Sequence, residues 1–183
     1  DEKDSRRYAT FLEYYRDEAL TKFGASMKKM LGSVDSGKRY YDSDIPIYRY
    51  ADALLMMAEV ENGLSGHCAD YINQVRKRAY GEYFTDYCKY VDGDYAENEL
   101  AILKERDKEF VAEGKRWFDL IRLHDKNKVP LVFSDAAAYS TTYGEKPDPV
   151  LKKEVESYKL LWPIEKTLMD RDPKLEQTPG YEE

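Results

Sequence analysis

The stretch Lys108 to His124, KEFVAEGKRWFDLIRLH, gathers most of the side chains in this chain that could do chemistry. Together with Glu105 just before it, Glu109 and Glu113 place three carboxylates four residues apart, on one face of a helix. Two carboxylates flanking a sugar ring can make a glycosidase. The general acid of such a pair needs a pKa raised by apolar burial with no cation beside it. Here the neighbours are cations. Arg106 and Glu109, Glu113 and Arg116, and Asp119 and Arg122 each stand three apart, the spacing of intrahelical ion pairs. No Gly-x-Ser-x-Gly, phosphate loop or His-Glu-x-x-His occurs anywhere in the chain. The stretch therefore predicts structural, paired charges and no catalytic residue.

Binding is the other chemistry these residue types allow. Sugars are held by aromatic faces against the ring C–H surfaces and by planar polar groups on the hydroxyls. The chain has 17 tyrosines, and those in apparent loops are the candidate ligand-binding residues: Tyr40, Tyr41, Tyr83, Tyr87, Tyr90, Tyr139 and Tyr143. Trp117, on a helical apolar stripe, and Trp162, in an apolar run before a proline, read as buried. Metal chemistry finds little support, and no cofactor is implied. His67 and His124 lack zinc-type spacing. The run DGDYAENE has an alanine, Ala96, at the fifth position of a calcium loop and a misplaced glycine. Acidic residues at the start of the next helix, where the dipole favours them, explain it better. Cys68 and Cys88 form no Cys-x-x-Cys pair and read as free thiols.

The elements that must position these residues are mainly helical. A net charge of −7 and a pI near 5.1 argue against nucleic acid as a partner. No apolar run approaches the roughly 20 residues of a membrane span. A start at Asp1 rather than Met fits a trimmed or excised chain, and 183 residues fit one domain, 1–183. DSRRYATFLEY alternates as a strand might, and the polar, glycine-marked TKFGASMKKMLGSVDSGKRYY reads as loop. A helical hairpin follows, at about 45–80. Its first helix spans Ile47 to Val60, with Asp44 as cap and Pro46 in the first turn, and stops at Asn62-Gly63. Apolar residues on nearly every face of that helix predict a place inside a helical array. The second helix carries Ala69, Ile72, Val75 and Ala79 and stops at Gly81. A loop as short as Gly63 to Gly66 makes the two antiparallel, the unit of tetratricopeptide-type solenoids, though no internal repeat is present. A long helix is expected at about 98–123, with Leu103, Phe110, Gly114, Trp117 and Ile121 as its stripe and Gly114 at a close helix crossing. After loop-rich residues 126–156, the segment 157–183 reads as an apolar strand, a Pro-started helical turn and a polar exit. The fold class is thus mainly α, a hairpin plus a long helix with irregular loops and a few short strands.

Three blocks, IPIYRYADALLMMAEVEN with INQVRKRA, LKERDKEFVAEGKRWFDLIRL, and LLWPIEKTLMDRDPKLEQTPGY, together resemble the carboxy-terminal part of the SusD/RagB family. The pattern positions are Arg49, Asp52, Glu59, Asn73, Arg76, Arg78, Glu105, Arg106, Glu113, Gly114, Arg116, Trp117, Phe118, Asp119 and Arg122, taken here as a structural signature. Thr178 and Asp172 stand where the pattern has asparagine. The resemblance implies a surface lipoprotein of the Bacteroidetes outer membrane that binds glycan, or in some branches peptide. It also implies a partner, a SusC-like TonB-dependent transporter on which such proteins act as lids, and membrane attachment through an amino-terminal lipid anchor outside this chain.

Overall fold

The computed structural model describes residues 1–15, 22–139 and 146–181. Within them the chain divides into two compact units, Asp1–Arg116 and Trp117–Glu183.

The first unit opens with a helix, α1 (Ser5–Thr10), so the expected strand over residues 4–14 forms only in its second part. Asp4 caps it, its carboxylate accepting the Arg6 backbone N–H at 3.1 Å. Strand β1 (Phe11–Tyr15) pairs antiparallel with β2 (Lys22–Met27), Phe11 opposite Met27, and β3 (Ser33–Asp35) forms a hairpin with β4 (Lys38–Tyr40). The expected loop is therefore strand in large part. Ser36 and Gly37, both at positive φ, make the tight turn that the twist of a hairpin favours.

The predicted hairpin is present as α2 (Tyr50–Leu64) and α3 (Ala69–Tyr80), but its start is corrected. Neither Asp44 nor Pro46 is in the helix. The cap comes from inside, where the Asp52 carboxylate accepts the Arg49 backbone N–H at 3.2 Å. Helix α4 (Tyr95–Glu109) then packs on α2. Leu55 and Ala58 of α2, Ile72, Val75 and Ala79 of α3, and Ile102 and Leu103 of α4 form the core of this unit. Ala51, Leu55, Ala58 and Asn62 recur at helical spacing on the buried face of α2. Its other side leaves Tyr50, Met57, Val60 and Leu64 exposed, so among the described residues this helix is covered on one face only.

The long helix of 98–123 is two helices. The first, α4, ends at Glu109, and α5 (Arg116–Arg122) begins after a turn in which Ala112 and Gly114 both have positive φ, 63° and 71°. A β-carbon on Gly114 would meet nothing within 4 Å, so this glycine serves the left-handed turn and not a close helix crossing.

The second unit, into which α5 leads, buries Leu120, Leu123, Leu131, Val132, Ala137 and Leu151. A bridge joins His124 to Pro130, and 3-10 turns follow at Leu131–Phe133 and Asp135–Ala137. Helix α6 (Lys153–Glu156) passes into a 3-10 turn, Ser157–Leu160, so the expected strand of YKLLW is not formed. The Pro-started turn appears as α7 (Lys166–Arg171). The carboxy-terminal pattern has a physical role: the Gln177 side chain accepts the Ile164 N–H at 2.7 Å and donates to the Ile164 carbonyl at 3.0 Å. At Gly180, with φ at 95°, a β-carbon would come within 2.4 Å of Tyr158, whose ring meets Tyr181 edge-on at 5.0 Å.

Both cysteines are free and buried, as expected, and burial together with the neighbouring Asp92 pushes the Cys68 thiol up to about 12. The folded protein at pH 8 is expected to leave Cys68 unlabelled by an aromatic disulfide reagent until denaturant is added, which a thiol titration measures. A Gly114→Ala change should cost about 1 kcal/mol, because alanine is strained at positive φ. A continuous helix would instead gain stability from that change, so urea unfolding distinguishes the two by sign.

Candidate ligand-binding surface

The three carboxylates that could have been catalytic lie at the centre of an ion-pair network in the first unit. Glu105 is fully buried between Arg6, at 2.7 Å, and Arg76, at 2.8 Å. Glu109 binds Arg49 at 2.6 Å and Arg6 at 3.3 Å, and also pairs with Arg78. Glu113 takes Arg49 at 2.7 Å and Lys29 at 2.5 Å. Of the three expected intrahelical pairs, Asp119 to Arg122 forms, at 2.8 Å. The break after Glu109 removes the helical register that would have joined Glu113 to Arg116, and Arg116 pairs with Asp107 instead. Arg106 lies 3.5 Å from Asp52, which also receives Lys115 at 2.9 Å. The Phe110 ring carries Arg49, Arg106 and Lys115 within 4.8, 4.8 and 5.2 Å of its centre.

Burial works against ionising Glu109 and Glu113. The hydrogen bonds from Arg49 and Arg78 to the first, and from Arg49 and Lys29 to the second, outweigh it and hold both carboxyls below the usual range. A carboxyl so held is a poor general acid.

A second polar set fixes the segment between α3 and α4. Asp92 accepts the N–H groups of Cys68 and Ala69, each at 2.8 Å, at the start of α3. Asn73 exchanges two hydrogen bonds with the Tyr90 backbone, and the Tyr90 hydroxyl donates to Asn98 at 2.7 Å. Asn98 in turn donates to buried Asn62 at 2.8 Å. Asp94 and Glu97 close a capping box on α4, which is the work of the acidic run that resembled a calcium loop.

Among the described residues of the first unit, no two of the candidate tyrosines share a cavity. Tyr90 is held by Asn73, Asn98 and the Arg76 guanidinium, and burial is the main reason its hydroxyl is pushed up to about 12. Tyr40 lies beside Lys38 on β4, Tyr41 follows it in the open, Tyr83 lies under Lys3, and Tyr87 and Tyr139 are exposed. Tyr143 lies outside the described residues. The tryptophans correct the expectation of burial. Trp117 is half-buried, and Trp162, 74% exposed, meets it edge-on at 6.5 Å.

Two open cavities flank the network. One, of about 360 Å³, is bounded by α1, Lys29, Arg49, Arg78 and Glu109. The other, of about 570 Å³, is a groove between the start of α2 and the end of α3. Ala51, Leu54 and Val75 form its apolar side, and Tyr50, 74% exposed, stands at its edge with Gln74, Lys77 and Arg78. This groove joins an aromatic face to planar polar groups, the combination sought in the sequence. Tyr50 was not among the candidates because it sits at the first position of a helix rather than in a loop. Its spacing to Leu54 and Met57, a second apolar stripe beside the buried one, was the available signal.

Fold and site together define a mainly helical protein built on a tetratricopeptide-type hairpin and tied by buried ion pairs. The SusD family matches residues 13–181, and the chain belongs to that family. SusD-like protein P38 of Formosa agariphila is 31% identical over 147 residues, 76% of this chain and 25% of that protein. The starch-binding protein SusD of Bacteroides thetaiotaomicron is 30% identical over 152 residues, 82% of this chain and 24% of that protein. A SusD superfamily protein of Bacteroides fragilis, known from a crystal structure, is 43% identical, with a TM-score of 0.85 over all of this chain and 38% of that one. The chain thus spans about a quarter to two-fifths of the length of these relatives.

A Glu109→Gln change should destabilise the protein by about 3 kcal/mol, since it leaves buried cations without their carboxylate, and a shifted urea midpoint would show it. The depressed carboxyls also set the acid limit. Their contribution is complete above their ordinary value of 4.5 and is lost as pH falls through their lower folded values. Tm should therefore fall on acidification below that value, and by less in Glu113→Gln, as calorimetry across pH would record.

Proposed function

We propose that this chain is the carboxy-terminal part of a SusD-like cell-surface protein that binds glycan without cleaving it. It would pass oligo- or polysaccharide to a TonB-dependent transporter of the outer membrane, to which a lipid anchor elsewhere in the protein tethers it. The observation that carries the reading is the α2–α3 groove, where Tyr50 faces open space beside an apolar wall and the polar Gln74 and Arg78. A pyranose offers a C–H face to such a ring and hydroxyls to such polar groups. Membership in a family that includes a starch-binding protein supports it. The ion-paired state of Glu105, Glu109 and Glu113 supports binding over hydrolysis.

A second reading, peptide uptake or mainly contact with the transporter, is favoured by one feature. Residues Ile45, Ile47 and Tyr48 form an exposed apolar run just before α2. The two readings separate in one experiment. Calorimetric titration of the full-length protein with a panel of poly- and oligosaccharides should show binding without release of reducing ends, and Tyr50→Ala should weaken it about tenfold. Binding of peptides with none to any glycan would favour the second reading.

A further inference from the structure

We propose that the outer ridge of α2 is an internal interface, covered by a further helix of the same protein from the part that lies outside residues 1–183. The inference goes beyond the glycan-binding reading and rests only on the chain being one part of a longer protein.

The helices of the first unit differ in what they show to water. The exposed residues of α3 are Asp70, Gln74, Lys77 and Arg78, and those of α4 are Glu97, Lys104 and Lys108. Polar exposure of this kind is what a surface helix requires. Helix α2 departs from it. Besides Tyr50, its exposed residues are Ala53, Met56, Met57, Val60, Gly63 and Leu64, without a charge or a polar side chain among them. Leu64 is 79% exposed and Val60 50%. At about 100° per residue, these six fall opposite the buried face of Ala51, Leu55, Ala58 and Asn62. The charged residues of α2, Asp52, Glu59 and Glu61, lie on the two flanks of this ridge.

A helix apolar on both sides is a helix buried on both sides, so the ridge calls for a cover that its own unit does not supply. The type of hairpin and the length of the relatives say what that cover is. A tetratricopeptide-type hairpin stacks on a like neighbour, each burying the outer face of the next. The chain covers 38% of one relative and 24% of another, so most of a protein of that length lies outside it and can supply the neighbour. From Ala53 to Leu64 the ridge runs about three turns, the length of an average helix laid alongside. A surface free of charge over that length suits a permanent contact, whereas a partner that binds and leaves meets a more polar one. The groove bordered by Tyr50 lies to the α3 side of this ridge.

The test uses the full-length protein with Met57 replaced by its diazirine analogue, which has nearly the same shape. Irradiation should give an intramolecular cross-link, located by peptide mass spectrometry, to a helical segment outside residues 1–183. A link to a second copy, links confined to residues 1–183, or capture of water alone overturns the inference. A second measurement needs no cross-link. On a helix face open to water, Val60→Lys is neutral or slightly stabilising, because lysine is the better helix former. Beneath another helix it buries an unpaired ammonium, and the Tm of the full-length protein should fall by several degrees. An unchanged or raised Tm overturns the inference as well. None of these outcomes bears on the glycan titration, which succeeds or fails separately.

Discussion

Three glutamates, two on the last turns of α4 and one in the turn beyond it, are clasped by cations from four other parts of the first unit. Arg6 reaches them from the amino terminus, Lys29 from beyond β2, Arg49 from the start of α2, and Arg76 and Arg78 from α3. An ion-pair cluster of this kind is a poor source of net stability, because desolvating each charge offsets most of the attraction. Its effect is on geometry. A buried carboxylate tolerates few arrangements of its partners, and one that meets two or three guanidinium groups fixes the relative positions of the elements that carry them. The apolar contacts of Leu55, Ile72 and Ile102 could accommodate some sliding of the helices. The glutamates do not allow it.

How far this was legible in the residues depends on the range of the interaction. The α2–α3 hairpin could be read because its evidence is local: apolar residues at three-and-four spacing, a glycine stop at Gly81, and too short a loop for any arrangement but antiparallel. The family that the charged signature marks was also legible. Its partners were not. Spacing suggested Glu113 with Arg116, but the true partners Arg49 and Lys29 stand 64 and 84 residues away, and no periodicity reports such a distance. Gly114 shows the same limit in the backbone. An apolar stripe continuing through it implied one helix, and only the positive φ of Ala112 and Gly114 shows that the stripe is interrupted. Strands β1 to β4 were faint because they are short and largely exposed, without the clean alternation a buried face imposes.

The site itself followed a different logic. Loop tyrosines were sought as sugar platforms; in the first unit no two of them share a cavity, and Tyr90 is engaged in holding the α3–α4 connection. The groove that does combine a ring with planar polar groups is built on two helices, and rigid helices hold a binding geometry better than loops do. Scaffold and candidate site also share residues. Arg49 and Arg78 border both the groove and the cavity on the α1 side, so the ion pairs that set the helix positions also set the charge that the groove displays.

The span of these contacts bears on how the chain comes to be made. Arg6 and Glu105 stand 99 residues apart, so during synthesis the arginine leaves the ribosome long before its carboxylate exists. The nascent chain can form the α2–α3 hairpin early, from neighbours in sequence, while Arg6, Lys29, Arg49, Arg76 and Arg78 remain hydrated. Only when α4 and the turn after it emerge can the clasp close, and it then closes over the whole unit at once. Until that point these cations lack the three glutamates that will hold them, and the helices they sit on are not yet fixed against one another.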